Sequence, residues 1–153
     1  MNDKILKLEE CKLISREMIG KDQVDKNLKR AFQDIVVARA NVEIDREASY
    51  NYSYLAMLRA GRALMFFYGY RPFGTNQHKT VVSFAEIILG KDSTNLIFKF
   101  DKMRKFRNKF TYEEPGILIS ENDLKSSIDS AEKFIEKINS FIKEKSSQEK
   151  LIK

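Results

Sequence analysis

A chain of 153 residues, 42% hydrophobic and 33% charged, is long enough to bury the core of one soluble globular domain. Its single cysteine, Cys11, and single histidine, His78, exclude a disulfide framework and a transition-metal site built from these ligands alone. The formal net charge of +6 permits contact with nucleic acid or acidic lipid but does not require it. We find no signal peptide and no apolar run that could span a bilayer, so we expect a cytoplasmic protein without a membrane partner.

Apolar residues recur at helical spacing through the first half of the chain. The pattern predicts a first helix over about residues 4–19 and a second helix capped by Asp22. A third helix is expected from about Ala48, and its small residues, Gly61 among them, favour close packing at the centre of the fold. Breakers at residues 69–74 end this helix and predict the principal loop.

The second half of the chain predicts three further helices, separated by capping residues and breakers. A fourth helix is capped at residues 75–76 and a fifth at residues 92–93. Pro115-Gly116 makes a turn, after which Ser120 begins the last helix in an arrangement like a capping box. Residues 146–153 are dense in charge, and we expect this tail to fray.

No segment alternates apolar and polar residues as a strand does, so no strand is predicted. The interpretation is an all-α fold, an up-and-down four-helix-type bundle with additional short helices. One domain spans residues 1–153, with its core within about residues 20–145. No phosphate-cradling glycine loop or other cofactor motif is present in the sequence, so no cofactor is expected.

The segment RNKFTY, residues 107–112, carries the strongest functional pattern. It places an arginine at the end of an apolar, basic helix, where arginine is costly unless it has a partner or a role. Residues four apart share a helical face, so Arg104, Asn108 and Tyr112 are expected to stack close to Arg107. Together these side chains could present a guanidinium, an amide and a phenol to one phosphate.

Basic residues are concentrated around this segment. Six cations fall within eleven residues and are opposed only by Asp101: Lys99, Lys102, Arg104, Lys105, Arg107 and Lys109. Such a cluster is either an anion-binding surface or a solvated face. On the first interpretation, Arg104, Lys105 and Lys109 are candidate phosphate or RNA contacts.

Structural alternatives stay open for each of these features. Arg107 could pair with a buried acid such as Asp34, and Tyr112 could plug the end of the bundle. His78 is either a solvated or capping residue or a general base and RNA contact, because histidine starts with a pKa near neutrality. The tyrosines within residues 50–70 either pack in the core or form a base-stacking surface.

Two stretches of the chain resemble the HEPN family of small helical domains found widely in prokaryotes. The first is YNYSYLAMLRAGRALMFFYGYRP, residues 50–72, followed by the loop to His78-Lys79, and the second is RNKFTY. The resemblance covers about residues 20–145. The order of the helices, the Tyr/Ala-rich central helix and the Arg-Asn pair at a helix end all match the pattern of that family. The resemblance implies a helical bundle and a homodimer that brings two motifs together.

In the ribonucleases of this family, an Arg, four intervening residues and a His form the motif, and cleavage is thought to need no metal. The resemblance implies that Arg107 stabilises the charged phosphorane, that Asn108 fills the polar position, and that Tyr112 replaces the His. A tyrosine hydroxyl, with a reference pKa of about 10, is a poor general base at neutral pH. Glu114 stands where toxin–antitoxin members have a further Tyr, so their antitoxin modification has no matching residue here.

The preferred interpretation is a non-catalytic or weakly catalytic RNA- or nucleotide-associated module. It would act with a partner, such as a nucleotidyltransferase, in a toxin–antitoxin or defence-type system. One alternative is an active, metal-independent endoribonuclease toxin in which Tyr112 or His78 transfers the proton. Another is a purely structural protein-interaction domain in which Arg107 forms an ion pair.

Overall fold

A computed structural model of the protein describes residues 2–152, with side chains from residue 3 to residue 150. Within that range the chain folds into six α-helices: Asn2–Glu10 (α1), Lys21–Ala40 (α2), Arg46–Phe67 (α3), Gln77–Leu89 (α4), Thr94–Asn108 (α5) and Glu121–Ile152 (α6). Two short strands, Ile14–Arg16 (β1) and Tyr70–Pro72 (β2), form the only described sheet. A 3-10 turn, Lys91–Ser93, precedes α5, and a π-helical turn, Lys109–Glu113, follows it. The predicted all-α class is confirmed.

Helix α3 lies at the centre of the bundle and packs most extensively against α2 and α6. Tyr54, Met57 and Leu64 of this helix are completely buried. Its small residues let neighbouring helices approach closely: an ideal Cβ built on Gly61 would lie 2.4 Å from Val81 Cγ1 of α4. The predicted central position of this helix and its close packing are confirmed.

A buried carboxylate joins α2 to α3. Asp34 of α2 is fully buried, and it pairs with Arg59 of α3 and with Arg30 of its own helix, whose Nε lies 3.1 Å from Asp34 Oδ1. Ser49 Oγ donates a second buried hydrogen bond to the Ala38 carbonyl oxygen at 2.6 Å. A buried charge is costly without a partner, so these contacts favour one alignment of the two helices.

The predicted capping segments stand directly before α4, α5 and α6, although the cap residues of α4 and α5 form no side-chain cap hydrogen bond. Ser120 caps α6 as predicted, because its Oγ accepts a hydrogen bond from the Asp123 backbone N–H at 3.1 Å. The predicted cap Asp22 is wrong: it lies in the first turn of α2, and Gly20 occupies the cap position. The backbone of Gly20 is extended, as it continues the extended chain that precedes it.

The predicted first helix is too long, and the prediction that the chain has no strand is wrong. Helix α1 ends at Glu10, and Lys12 adopts a left-handed backbone (φ 57°) that turns the chain. The next residues then pair antiparallel with the α3–α4 connection: Ile14 with Pro72, Ser15 with Arg71 and Arg16 with Tyr70. Strands of three residues are too short to show an alternating pattern. Their pairing also joins segments far apart in sequence.

Helix α6 continues as far as Ile152, so the tail that we expected to fray from residue 146 is helical in the structure. Ser146 and Glu149 line a surface cavity together with Ile19 and Phe66. None of the helices described for this chain combines the length and the apolar character needed to cross a bilayer.

Candidate functional site

Arg107 lies in the last turn of α5 and is half-buried against α3. Its Nε donates a hydrogen bond to Asn51 Oδ1 of α3 at 2.9 Å, and its guanidinium carbon lies 5.8 Å from the centroid of the Tyr54 ring. Asn51 is neutral, so this bond orients the guanidinium without neutralising it. Arg107 forms no salt bridge with any described residue, and its charge remains available to a ligand.

The structural alternative for Arg107 and Tyr112 is wrong. The buried acid Asp34 is occupied by Arg30 and Arg59. Tyr112 is 74% exposed, so it does not plug the end of the bundle.

The π-helical turn determines which residues meet at the end of α5. Its wider hydrogen bond runs from the Glu114 N–H to the Lys109 carbonyl oxygen, five residues apart, at 2.8 Å. The Tyr112 ring therefore faces Arg107, with 5.7 Å between its centroid and the guanidinium carbon. Tyr112 lies close to Arg107 as predicted, but a π-helical turn places it there instead of the regular α-helix that the prediction assumed. Single π turns of this kind are frequent at functional sites.

His78, in the first turn of α4, lies beside Tyr54. Its Nδ1 and the Tyr54 Oη share a hydrogen bond of 3.0 Å, and the two ring centroids are 5.9 Å apart. Burial lowers the pKa of His78, and the nearby charges of Arg62, Arg107 and Arg104 lower it further. The interpretation of His78 as a solvated or capping residue is wrong, because the tertiary contact with α3 holds it against buried Tyr54.

Three arginines from two helices converge around this Tyr54–His78 pair. Burial raises the pKa of Tyr54, while the positive charges of Arg107, Arg104 and Arg62 act in the opposite direction. Arg62 of α3 is half-buried, and its buried Nε has no hydrogen-bond partner among the described residues. We name Tyr54, Arg62, His78, Arg104 and Arg107 the arginine cluster. Its guanidiniums lie near a buried hydroxyl and an imidazole whose pKa is lowered by burial and by their positive charges.

Within residues 3–150, Asp101 is the one carboxylate that forms a salt bridge with an arginine of the arginine cluster. Arg104 Nε donates to Asp101 Oδ1 at 2.9 Å, and Lys105 Nζ lies 3.3 Å from the other oxygen of Asp101. Among residues 2–152, no group of three or more His, Cys, Asp and Glu side chains is placed to hold a metal ion. The arrangement is suited to bind an anion and, through His78, to accept or donate a proton.

A model of the HEPN domain matches residues 24–142. The chain belongs to the HEPN family. The matched region begins within α2 and ends within α6, so it contains the whole arginine cluster, and α1 and β1 lie outside it. No curated protein sequence matches the chain.

The structure of this HEPN domain brings some of the predicted site residues together and separates others. The positive charges of Arg104 and Arg107 both lower the pKa of His78. Asn108 Oδ1 lies 3.5 Å from a terminal nitrogen of Arg107. Lys105 and Lys109 are each two positions from Arg107, which is about 200° around a helix. They line a different cavity on the other side of α5.

Asn51 and Arg62 were not predicted from the sequence as functional residues, and Tyr54 was considered only for core packing or base stacking. Their spacing along α3, three and then eight residues, places them on one helical face. That spacing was a usable signal, because a polar stripe on a central, buried helix needs partners. What the sequence could not supply was the partner itself, since Arg107 and His78 lie on other helices.

Proposed function

We propose that this HEPN domain binds RNA or a nucleotide through the phosphate groups, using the arginine cluster. Arg107 and Asn108 would contact the phosphate, and Arg104 and Tyr112 would support them. The observation that carries this proposal is the hydrogen bond from Arg107 to Asn51, which positions a guanidinium without compensating its charge. Such a fixed and unneutralised guanidinium is suited to bidentate phosphate recognition.

The surroundings of Arg107 favour an oligonucleotide over an isolated anion. Half-buried Arg62 adds a second guanidinium near Tyr54. The exposed ring of Tyr112 lies next to the guanidinium, where a base could stack on it. Phosphate contacts and a stacking surface together are typical of single-stranded RNA recognition.

The proposed biological setting is that of a non-catalytic or weakly catalytic module with a protein partner. HEPN domains often form dimers, and we include a homodimer in the proposal. A nucleotidyltransferase-type partner in a toxin–antitoxin or defence-type system is the accompanying hypothesis. Light scattering of the purified protein tests the dimer, and co-purification with the product of a neighbouring gene tests the partner.

The binding proposal is tested by fluorescence anisotropy with an end-labelled single-stranded RNA over a range of salt concentrations. If Arg62, Arg104 and Arg107 each contact a phosphate, the slope of log K against log salt should be about −2, since each contact contributes about −0.7. Arg107→Gln should weaken binding and reduce the slope by about 0.7. Lys143→Gln removes the same charge from an exposed site on α6 and should change neither value. Salt-independent binding, or equal losses in both variants, would contradict the proposal.

A second candidate function is metal-independent RNA cleavage, and the contact between His78 and Tyr54 favours it. In the tautomer in which His78 Nδ1–H donates to Tyr54 Oη, Nε2 is free to accept the proton of a ribose 2′-hydroxyl. The 2′-oxygen then attacks phosphorus, the bond to the 5′-oxygen breaks, and the imidazolium returns its proton to that oxygen. Arg107 would stabilise the negative charge that develops on the phosphorane.

The cleavage hypothesis is tested with a mixed, end-labelled RNA pool in the presence of EDTA. If His78 transfers the proton, His78→Gln and Arg107→Ala should abolish cleavage, whereas Tyr112→Phe should retain it. Loss in Tyr112→Phe alone would assign proton transfer to the motif tyrosine instead. Absence of cleavage by the wild-type protein would leave RNA binding as the function to test.

A further inference from the structure

A second basic site lies on the other flank of α5. It is a cavity of about 410 Å³ between α5, the start of α6 and the segment that joins them. Four lysines of α5 and the π-helical turn line it: Lys99, Lys102, Lys105 and Lys109. We name this cavity the lysine pocket. None of the residues of the arginine cluster contributes to its wall.

The floor of the lysine pocket is aromatic and aliphatic. Tyr50 of α3 and Phe106 of α5 meet there with ring centroids 5.2 Å apart and planes inclined by 60°. Ile119 closes one side and is buried, whereas Leu118 stands at the edge and is 94% exposed. An exposed leucine at the edge of an aromatic floor leaves room for a flat group to insert against the rings.

The positive charge of the lysine pocket is poorly compensated by the protein. Within residues 3–150, Lys99, Lys102 and Lys109 form no salt bridge, and Asp123 is the only carboxylate in the wall. Lys99 is half-buried, and its burial together with the charge of Lys102 lowers its pKa. Lys102, Lys105 and Lys109 are exposed, so their ammonium groups can approach an anion that enters the pocket.

We propose that the lysine pocket binds a small phosphorylated ligand that carries an aromatic ring. The ring would lie on Tyr50 and Phe106, and the phosphate would face Lys99 and Lys102 at the wall. Lysine binds phosphate as a point charge, and the cavity volume is within the range of small-molecule sites. This site is independent of the proposed RNA function, because the arginine cluster lies on the opposite flank of the same helix.

Phenyl phosphate is a small probe that carries both an aromatic ring and a phosphate. Phenol, which has only the ring, and inorganic phosphate serve as controls. Binding is measured by isothermal titration calorimetry, and its location is measured by backbone NMR shifts at Leu118 and Ile119. We expect saturable binding of phenyl phosphate that is stronger than the binding of phenol or of inorganic phosphate. Lys99→Gln/Lys102→Gln should weaken it by about tenfold or more. Lys133→Gln/Lys143→Gln, with the same loss of charge at exposed positions of α6, should leave it unchanged.

Arg107→Ala separates this proposal from the proposed function, because it should impair RNA binding and leave phenyl phosphate binding intact. Circular dichroism confirms that each lysine variant is folded before it is titrated. The proposal is overturned if phenyl phosphate fails to saturate, or if inorganic phosphate binds equally well. It is also overturned if the lysine variant and its control lose equal affinity, or if the shifts appear at the arginine cluster instead.

Discussion

Replacement of Gly61 by Ala tests the close contact between α3 and α4. The added methyl carbon would lie 2.4 Å from Val81 Cγ1, which is roughly 1 Å inside a normal carbon–carbon contact. Val81 is completely buried and β-branched, and a β-branched side chain has one strongly preferred rotamer in a helix. The variant must therefore separate the helices or strain Val81.

The magnitude follows from two opposing effects. Overpacking of a core costs about 1–3 kcal/mol, and a contact this short belongs at the upper end of that range. Alanine is favoured over glycine within a helix by about 1 kcal/mol. Gly61→Ala should therefore lower the free energy of unfolding by about 1–2 kcal/mol and Tm by about 2–8 °C. Gly20→Ala is a control without a clash, since no described atom lies within 4 Å of its added carbon, and it should cost less than about 1 kcal/mol, the loss expected for alanine at the cap of α2.

Thermal and urea denaturation measure the loss, and a second substitution identifies its cause. Val81→Ala removes the atom that clashes, so the double variant should lose less stability than the sum of the two single variants. Because α4 carries His78, Gly61→Ala should also disturb the contact between His78 and Tyr54, which NMR of the imidazole reports. A Gly61→Ala protein as stable as the wild type, with an unchanged imidazole signal, would refute the close packing.

Three further predictions concern the charged residues. Arg107→Ala should lower the free energy of unfolding, measured by urea denaturation, by less than about 1.5 kcal/mol, because it removes a hydrogen bond to the neutral amide of Asn51. A loss of about 3–5 kcal/mol would show a structural ion pair instead. Asp34→Ala should cost about 1.5–3 kcal/mol, because it removes the charged hydrogen-bond partner of Arg30 and Arg59, whose side chains stay partly exposed, and a loss below about 1 kcal/mol would contradict that pairing. The pKa of His78 is lower in the folded protein than its unfolded value of about 6.5. The neutral imidazole therefore contributes its full stabilisation above a pH of about 6.5, and this stabilisation is lost as the pH falls through the folded-state pKa. His78→Gln should therefore lose less Tm than the wild type between pH 7.5 and pH 5.5, and equal losses would refute the role of His78.

Most of the fold could be predicted because helical periodicity is a local property of the sequence. The seam of α2 and the buried face of α6 repeat at three and four residues, and Ser120 fits a known capping pattern. The end of α1 could not be predicted in the same way. Leu13 and Ile19 continue a helical spacing, but pairing of residues 14–16 with β2 overrides it. That choice depends on a segment more than fifty residues away.

The candidate site was predictable only in part, because its residues lie on three different helices, α3, α4 and α5. Arg107 and Asn108 were recognisable from a short motif at a helix end. The position of His78 is fixed by its hydrogen bond with Tyr54 of α3, and no local sequence pattern predicts a contact between two helices. The orientation of Tyr112 depends on the π-helical turn, which adds one residue to the hydrogen-bonded ring. A regular helix was therefore the wrong template for that segment.

The ribbon formed by β1 and β2 has a consequence for the order in which the chain folds. Its strands lie just before α2 and just after α3, so they meet only once these two helices have formed a hairpin. We therefore expect the N-terminal segment to dock late and to open early, at a free energy below that of global unfolding. Such an opening would release the connection that leads into α4 and His78 while the α2–α3 core stayed folded. Hydrogen exchange should accordingly be faster at the amides of β1 and β2 than at those of α3.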